Sequence, residues 1–438
     1  MTEMTTPTYR VRAVHCDHRA SDEEVYAALK RATEPLEKAW ARLCAARRIV
    51  IKFNQDWPAE NLAMFDGQYQ QLVSERVARA TLRLLRERTR ADLFCADVSW
   101  FQAYAHKLAD ARPGTTTTLA PVLREFDAAY VDGNAGPLRM CAVPGGGLMF
   151  RQYALSQHVA EADALVSVQK MKNHGFMGIT LCLKNLFGLM PTEQAPLEQV
   201  RPGVVSPPPY RRPRHYFHHL VRMPYVLADL GRILDPALNV LDALVSQAGR
   251  EWQGGEPRVT NALIAGDQVI ATDACAASLM GHDPQADWPT PPFHRDRNAL
   301  RVAAEAGFGT VDLEQIDFRS EVASPLGAFY AQITDPMAMV ASWRRTTAEQ
   351  ALYYRELVDG HRQEFIDRYA GEYILLQEGE VRWHDQSGAL RGSRRHLSGR
   401  NPEQAMWLKY VDPEEAEGEQ YAVYERALEQ VKQAQSLL

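Results

Sequence analysis

Runs of apolar residues alternate with stretches of helical spacing along most of this chain. Residues 22–46 have helical composition, and RRIVIKF (47–53) then reads as a short buried strand ending in the polar group Lys52, Asn54, Gln55 and Asp56. From Tyr69 to Arg90, Leu72, Val73, Val77, Ala80, Leu84 and Leu85 recur at helical spacing, and ADLFCADV (91–98) follows as a second buried strand. Strand, helix, strand at this spacing is a βαβ unit, and crevices at strand carboxyl ends are where such folds place ligands. Further on, HVAEADALVSVQKMK (158–172) predicts a short helix and a strand, LNVLDAL (238–244) a strand, residues 261–281 a strand, turn and helix, and 298–309 a helix. TTTT (115–118) and PGGG (144–147) read as loops, as does RPGVVSPPPYRRPRH (201–215), whose prolines forbid helix and central strand.

Beyond about residue 325 the texture changes. Residues 334–368 are polar and helical, and 369–395 predict a β-hairpin turning at Glu378–Gly379. The expected architecture is α/β: a two-lobed core with largely parallel or mixed sheets flanked by helices over 1–325, a helical connector over 326–362, and a small β-rich domain over 363–438.

The densest chemistry lies in KMKNHGFMGITLCLKNLFGLMP (170–191), with three lysines, one histidine and two asparagines in an otherwise mostly uncharged segment. Buried charge is costly unless paired, so Lys170, Lys172 and Lys184 must reach solvent, meet carboxylates of the fold, or await an anionic ligand. Lys172 and His174 are two apart and point the same way on a strand end, where a neighbouring ammonium would hold the histidine neutral for acid–base work or metal ligation. Lys170 is expected to face solvent. Lys184 and Asn185 are expected in the first turns of a helix starting near Gly178, and with Thr180 they would line a pocket with Lys172 and His174. The alternative for Lys184 is a buried pair with Asp273. Lys52 and Asn54 suit an anion anchor, while Arg212, His218 and His219 belong to a basic loop that could close over an acidic ligand. Asp242 and Asp273 are candidate oxygen ligands for a divalent metal such as magnesium, with a helix N-cap as the other reading of Asp273.

The 438 residues are 46% hydrophobic and 24% charged, ordinary globular values, and the formal net charge of −6 argues against a general nucleic-acid binder. No signal-peptide pattern and no run of eighteen apolar residues is present, which places the expectation in the cytoplasm, off the membrane. The six cysteines are scattered, so a disulfide framework or iron–sulfur site is not expected, and HCDH (15–18) lacks further metal ligands at a typical spacing. No G-x-G-x-x-G or Walker A pattern points to a nicotinamide or P-loop nucleotide.

The order of IKFN (51–54), KNHGFMGITLCLKNLFG (172–188) and DQVIATDACAASLMG (267–281) resembles the domain of unknown function 362 family over roughly residues 45–320. Phe53 stands where that family usually has proline, and the ferredoxin-like cysteine clusters of many relatives are lacking. The terminal region, with its Y-A-G-E-Y-I pattern, resembles a small accessory domain found on diverse bacterial proteins. Together these readings imply an enzyme of bacterial metabolism acting on a small carboxylate or phosphate. Lys52, Lys172 and Lys184 would bind charge, His174 would act as acid or base, and Asn54, Thr180 and Asn185 would orient the substrate. Proton abstraction, decarboxylation or oxidation would suit such a site. A metal- or iron–sulfur-associated redox protein working with a partner, and a noncatalytic anion-binding module, are the alternatives. Neither cofactor nor protein partner is specified.

Overall fold

In a computed structural model the chain is described over residues 9–55, 62–98, 118–133, 137–191, 214–251, 255–356, 360–385 and 407–435. The first half runs Tyr9–His15 (β1), Asp22–Thr33 (α1), Glu37–Ala45 (α2), Arg48–Phe53 (β2), the small hairpin Met64–Phe65 (β3) and Gln68–Tyr69 (β4), Glu75–Arg88 (α3) and Asp92–Asp97 (β5). Then come Ala120–Glu125 (α4), Ala129–Asp132 (β6), the pair Leu138–Ala142 (β7) and Gln152–Ser156 (β8), Gln157–Ala160 (α5), Ala164–His174 (β9), Gly178–Thr180 (β10) and Cys182–Leu186 (α6). Arg214–Phe217 (α7) and Met223–Leu234 (α8) lead to Leu238–Ala248 (β11), Glu256–Gly266 (β12), Val269–Leu279 (α9), Ala299–Glu305 (α10) and Ile316–Ser320 (β13). The chain ends in Met337–Arg355 (α11), His361–Tyr369 (α12), Tyr373–Gln377 (β14), Glu380–Asp385 (β15), Trp407–Tyr410 (β16) and Ala422–Gln435 (α13).

The central sheet has nine strands among the described residues, in the order β13-β1-β12-β11-β9-β2-β5-β6, with β10 folded back on β9. From β11 to β6 the neighbours are parallel, while β12 is antiparallel to both β1 and β11. Strands buried on both faces read as unbroken apolar runs, which is why β2, β5 and β9 were visible as such. One face packs α1–α4 through Val25, Leu29, Leu43, Val77 and Leu85; the other packs α6, α8, α9 and α10 through Leu183, Val226, Ile270 and Leu300. Helices on both faces of a largely parallel sheet make the α/β architecture expected.

Starting from β2 the chain builds outward through β5 and β6, then returns to place β9 on the other side of β2. Strand order reverses there, and the crevice at the carboxyl ends of β2 and β9 is where open α/β sheets bind ligands. Lys52 and Asn54 close β2 and Lys172 and His174 close β9, so both motifs converge on this point.

Two boundaries near the site differ from the sequence reading: α7 takes in Arg214 and His215, the last two residues of the stretch read as a loop, and the start of α6 is shifted. The helix expected near Gly178 begins at Cys182, because Gly178–Thr180 pairs antiparallel with Lys172–His174. Gly178 has φ of +80°, and a Cβ there would lie 2.7 Å from the Pro292 carbonyl oxygen, so glycine is required by close approach, not by a helix start. At the carboxyl end the hairpin turns at Glu378 and Gly379, both left-handed, the pattern that suits a two-residue hairpin loop. Its strand β14 also pairs with β16, and Tyr373, Leu375, Trp407 and Tyr424 share one continuous core with α8 and α9. Apolar packing therefore runs across position 325. No helix of the described residues is long and apolar enough to cross a membrane.

Candidate functional site

Along β9 the side chains alternate between the sheet's two faces. Val166 and Val168 enter the core beneath α1–α4, and Lys170, Lys172 and His174 continue that same row. Lys170 does not face solvent as expected. It is fully buried, and its Nζ lies 2.8 Å from Asp242 Oδ2 on the adjacent strand β11. The same carboxylate accepts from the Ser74 N–H at 2.7 Å, the N-cap of α3, and from the Leu244 N–H at 3.2 Å. Burial next to an apolar row leaves no route to water, so the ammonium meets a carboxylate instead.

Lys172 is also buried, with its Nζ donating to Gln71 O (2.9 Å) and Asn54 Oδ1 (3.3 Å) and lying 3.2 Å from Glu251 Oε1. Burial lowers its proton affinity, and Lys170 and Lys52 lower it further, against the attraction of Glu251. Glu251 reaches His174 as well: its Oε2 is 2.8 Å from Nε2. The other ring nitrogen, Nδ1, accepts from the Phe176 N–H (2.9 Å) and the Met177 N–H (3.1 Å). An Nδ1 that accepts places the proton on Nε2, aimed at Glu251. Burial pushes the histidine's pKa down, against Glu251, and Lys184 and Lys172 push the same way. Burial would raise the Glu251 carboxyl, yet His174 and Lys172, with Lys184 beyond, hold it well below the usual carboxylate range.

Glu251 was not among the residues singled out from the sequence. Its one signal is position, a carboxylate just beyond a long strand that neighbours the lysine-bearing one. His218 joins the site: its ring centroid lies 4.9 Å from Phe176, 5.8 Å from Phe187 and 6.4 Å from His174. Lys184 sits with its Nζ 4.7 Å from the Phe187 ring centroid, its charge acting on both Glu251 and His174. Thr180 lies opposite Lys172 in the β9–β10 pairing and so shares its face.

The single pocket expected from the sequence is divided by the sheet. Lys52 pairs across from Ser167, on the opposite face from Lys172, and is held by Asp97 Oδ2 at 3.0 Å and Phe53 O at 2.8 Å. Gly188 lies against it; a Cβ there would be 2.5 Å from Lys52 Cε. Asn185 is on this side too, donating to Lys52 O, Ser167 Oγ and Val168 O at 2.9–3.2 Å and pinning α6 to the sheet. Asp273 is neither the cap of its own helix nor the partner of Lys184. It sits inside α9, whose N-cap is Gln268, and accepts from the Cys182 and Leu183 N–H groups at 2.9 and 2.7 Å, capping α6 instead. His219 turns from the site, its Nδ1 3.0 Å from Leu220 O and its Nε2 accepting from Leu408 of β16. Arg212 and Asp56 lie outside the described residues, as do most of TTTT and the arginine–proline loop. Among the described residues no three His, Cys, Asp or Glu side chains converge as they would around a metal ion; Asp242 is occupied by Lys170 and backbone donors. His18 of the HCDH motif contacts Asn261 and Asp66.

Burial raises Asp273 to about 7, against the pull of its backbone donors. A carboxyl raised on folding adds stability below its unfolded value near 4, and that stability is lost as pH rises toward 7. Asp273→Asn removes this term. Urea midpoints compared from pH 4 to 7.5 should therefore shift steadily in the variant's favour relative to the parent as pH rises. A constant difference would mean Asp273 does not titrate in that window.

A model of the family described as Domain of unknown function (DUF362) matches residues 49–278, just over half of the chain. The Thylakoid-associated protein sll1697 of Synechocystis is 25% identical over 159 residues, 36% of this chain and 45% of that protein. This chain thus spans less than half the length of that curated relative. Among solved structures, the lactate racemase apoprotein of Thermoanaerobacterium thermosaccharolyticum aligns with a TM-score of 0.27 at 13% identity, over 57% of this chain and 53% of that chain. The chain belongs to the DUF362 family.

Proposed function

We propose that this DUF362 member is an enzyme acting on a small anionic metabolite, a carboxylate or phosphate, by proton transfer at the carboxyl ends of β2 and β9. The observation carrying this reading is the Glu251 carboxylate, held with one oxygen on Lys172 and the other on His174. Glu251 is the proton acceptor in this scheme. His174 positions it, because its Nε2–H is committed to Glu251 and its Nδ1 to two backbone N–H groups. Those donors also oppose an imidazolium, so the acid–base role expected of His174 passes to its partner.

In the step itself a substrate C–H or O–H bond breaks, its proton forms an O–H bond on Glu251, and the electron pair stays on the substrate. Lys172 and Lys184 stabilise the developing negative charge. A carboxyl held so low is a weak base in the free protein. An anionic substrate beside the two lysines offsets their charge and raises the affinity of Glu251 for a proton, which favours transfer once substrate is bound.

Deuterium wash-in tests this. Small carboxylic and phosphorylated acids incubated with the protein in D2O should show loss of an exchangeable C–H signal by proton NMR. Glu251→Gln should slow that exchange by about 10²- to 10⁴-fold, the usual size of general-base catalysis. Exchange at an unaltered rate in the variant removes Glu251 from the reaction.

A further inference from the structure

The short link between α7 and α8 brings one side chain to the site and is fastened from outside it. His218 is half-buried, and its ring centroid lies 4.9 Å from that of Phe176 and 6.4 Å from that of His174. It shares Phe187 with Lys184: the His218 centroid is 5.8 Å from that ring's and the Lys184 Nζ 4.7 Å. Lys172 and His174 are buried, whereas Lys184, His218 and Glu251 are each half-buried, so these three mark the side of the site that solutes reach first. An imidazole there has an N–H to donate to a bound anion in either charge state.

The neighbours of His218 along the chain are tied elsewhere. Tyr216 packs edge-on against Tyr373 of β14, with centroids 6.0 Å apart. The His219 Nε2 accepts from the Leu408 N–H of β16 at 3.5 Å, and Arg222 reaches Glu419 at 2.9 Å and the Tyr424 hydroxyl at 3.0 Å. These partners all belong to the carboxyl-terminal region. Within the link Val221 has φ of +73°, a left-handed conformation that β-branched residues rarely adopt. Asp296 holds that corner: its Oδ2 accepts from the Val221 N–H at 2.7 Å, and its Oδ1 is paired with Arg344 of α11. Such strain persists only where the surroundings over-determine it, and it concentrates at functional sites.

Resting on the small-acid reading above, we infer that His218 is a further substrate-contacting residue, donating a hydrogen bond to the bound acid beside Lys184, and that Val221, Asp296 and Arg344 are its positioning residues. Helix α11 of the carboxyl-terminal region thereby belongs to the scaffold of the site.

Deuterium wash-in into small carboxylic and phosphorylated acids, followed on the full chain, tests both halves. His218→Phe keeps a ring against Phe176 and removes the N–H. It should slow wash-in about 10- to 100-fold, in line with the loss of one hydrogen bond to a charged group, while the melting temperature holds. Val221→Gly relaxes the corner and frees the link, so it should slow wash-in in the parent and hardly at all in the His218→Phe background. General loss of stability would not produce that coupling. Arg344→Lys, which keeps a cation on Asp296, should show the same coupling more weakly and serves where Val221→Gly does not fold. Unaltered wash-in in His218→Phe, with Glu251→Gln still slow, overturns the inference and leaves the role of Glu251 standing. A fall in melting temperature large enough to account for the slower exchange also overturns it, the ring then being structural. Effects of Val221→Gly and Arg344→Lys that are nil, or that add fully to that of His218→Phe, overturn the positioning half. Absence of wash-in in the parent overturns the inference together with the small-acid reading.

Discussion

Lys409→Met should destabilise the protein by about 3–5 kcal/mol, the usual cost of removing one partner from a buried ion pair. Lys409 lies on β16 with its Nζ 2.6 Å from Glu417, 2.8 Å from Glu419 and 3.2 Å from Glu415, and is completely buried, as are Glu417 and Glu419. Arg222, at the start of α8, shares Glu419 at 2.9 Å and is overlaid by the Tyr216, Trp407 and Phe150 rings. Burial would lower the lysine's proton affinity, but Glu417 and Glu419 reverse that and hold it well above its ordinary value. Without the lysine, Glu417 loses its 2.6 Å ion pair, and Glu419 keeps Arg222 and the Tyr424 hydroxyl. Urea unfolding measures the loss, and Lys409→Met/Glu417→Gln should recover part of it. A single-variant change below about 1 kcal/mol would place the lysine among exposed pairs, which contribute no more than that.

Lys170→Met carries a comparable expected cost, about 3–5 kcal/mol, for the same reason at the centre of the large sheet. Its partner Asp242 would keep two backbone donors and lose the only charge opposite it among the described contacts. The consequence reaches the site, because Asp242 holds the N-cap of α3 through Ser74, and Gln71 just before it accepts from Lys172. Lys170→Met should therefore lower both the urea midpoint and the rate of deuterium wash-in, whereas Lys170→Met/Asp242→Asn should regain stability first. Equal midpoints in parent and single variant would show that the pair is replaceable by packing alone.

Much of the architecture was legible because it rests on local spacing. The apolar runs of β2, β5 and β9, the helical period of α3 and the Glu378–Gly379 turn each announce their element within a dozen residues. The fate of the lysines was not legible in the same way. Asp97 lies 45 positions from Lys52 and Asp242 lies 72 from Lys170, and no feature of either carboxylate's neighbourhood names its cation. A buried lysine near polar neighbours has the same signature whether it awaits a ligand or meets an internal acid. Here Lys52, Lys170 and Lys172 all meet one, which is the second of the options their density left open. Face assignment was the other obstacle. Lys52 and Lys172 close adjacent strands, yet pairing of Lys52 with Ser167 turns one side chain toward α6 and the other toward α3. Parity within a strand is readable, but parity between strands needs the register.

The return of β10 along β9 works as a ruler. Three residues, Gly175 to Met177, join the strands, and Gly178 meets His174 so that Thr180 meets Lys172. Adding or deleting one residue in that link would send Thr180 through to the opposite face, since side chains alternate with every position. The distance in sequence from the lysine and histidine to the threonine is thus a geometric constant of the site. Length variation among homologues should be absent from residues 172–180, and a chain with a gap there would carry the motif's letters without its arrangement.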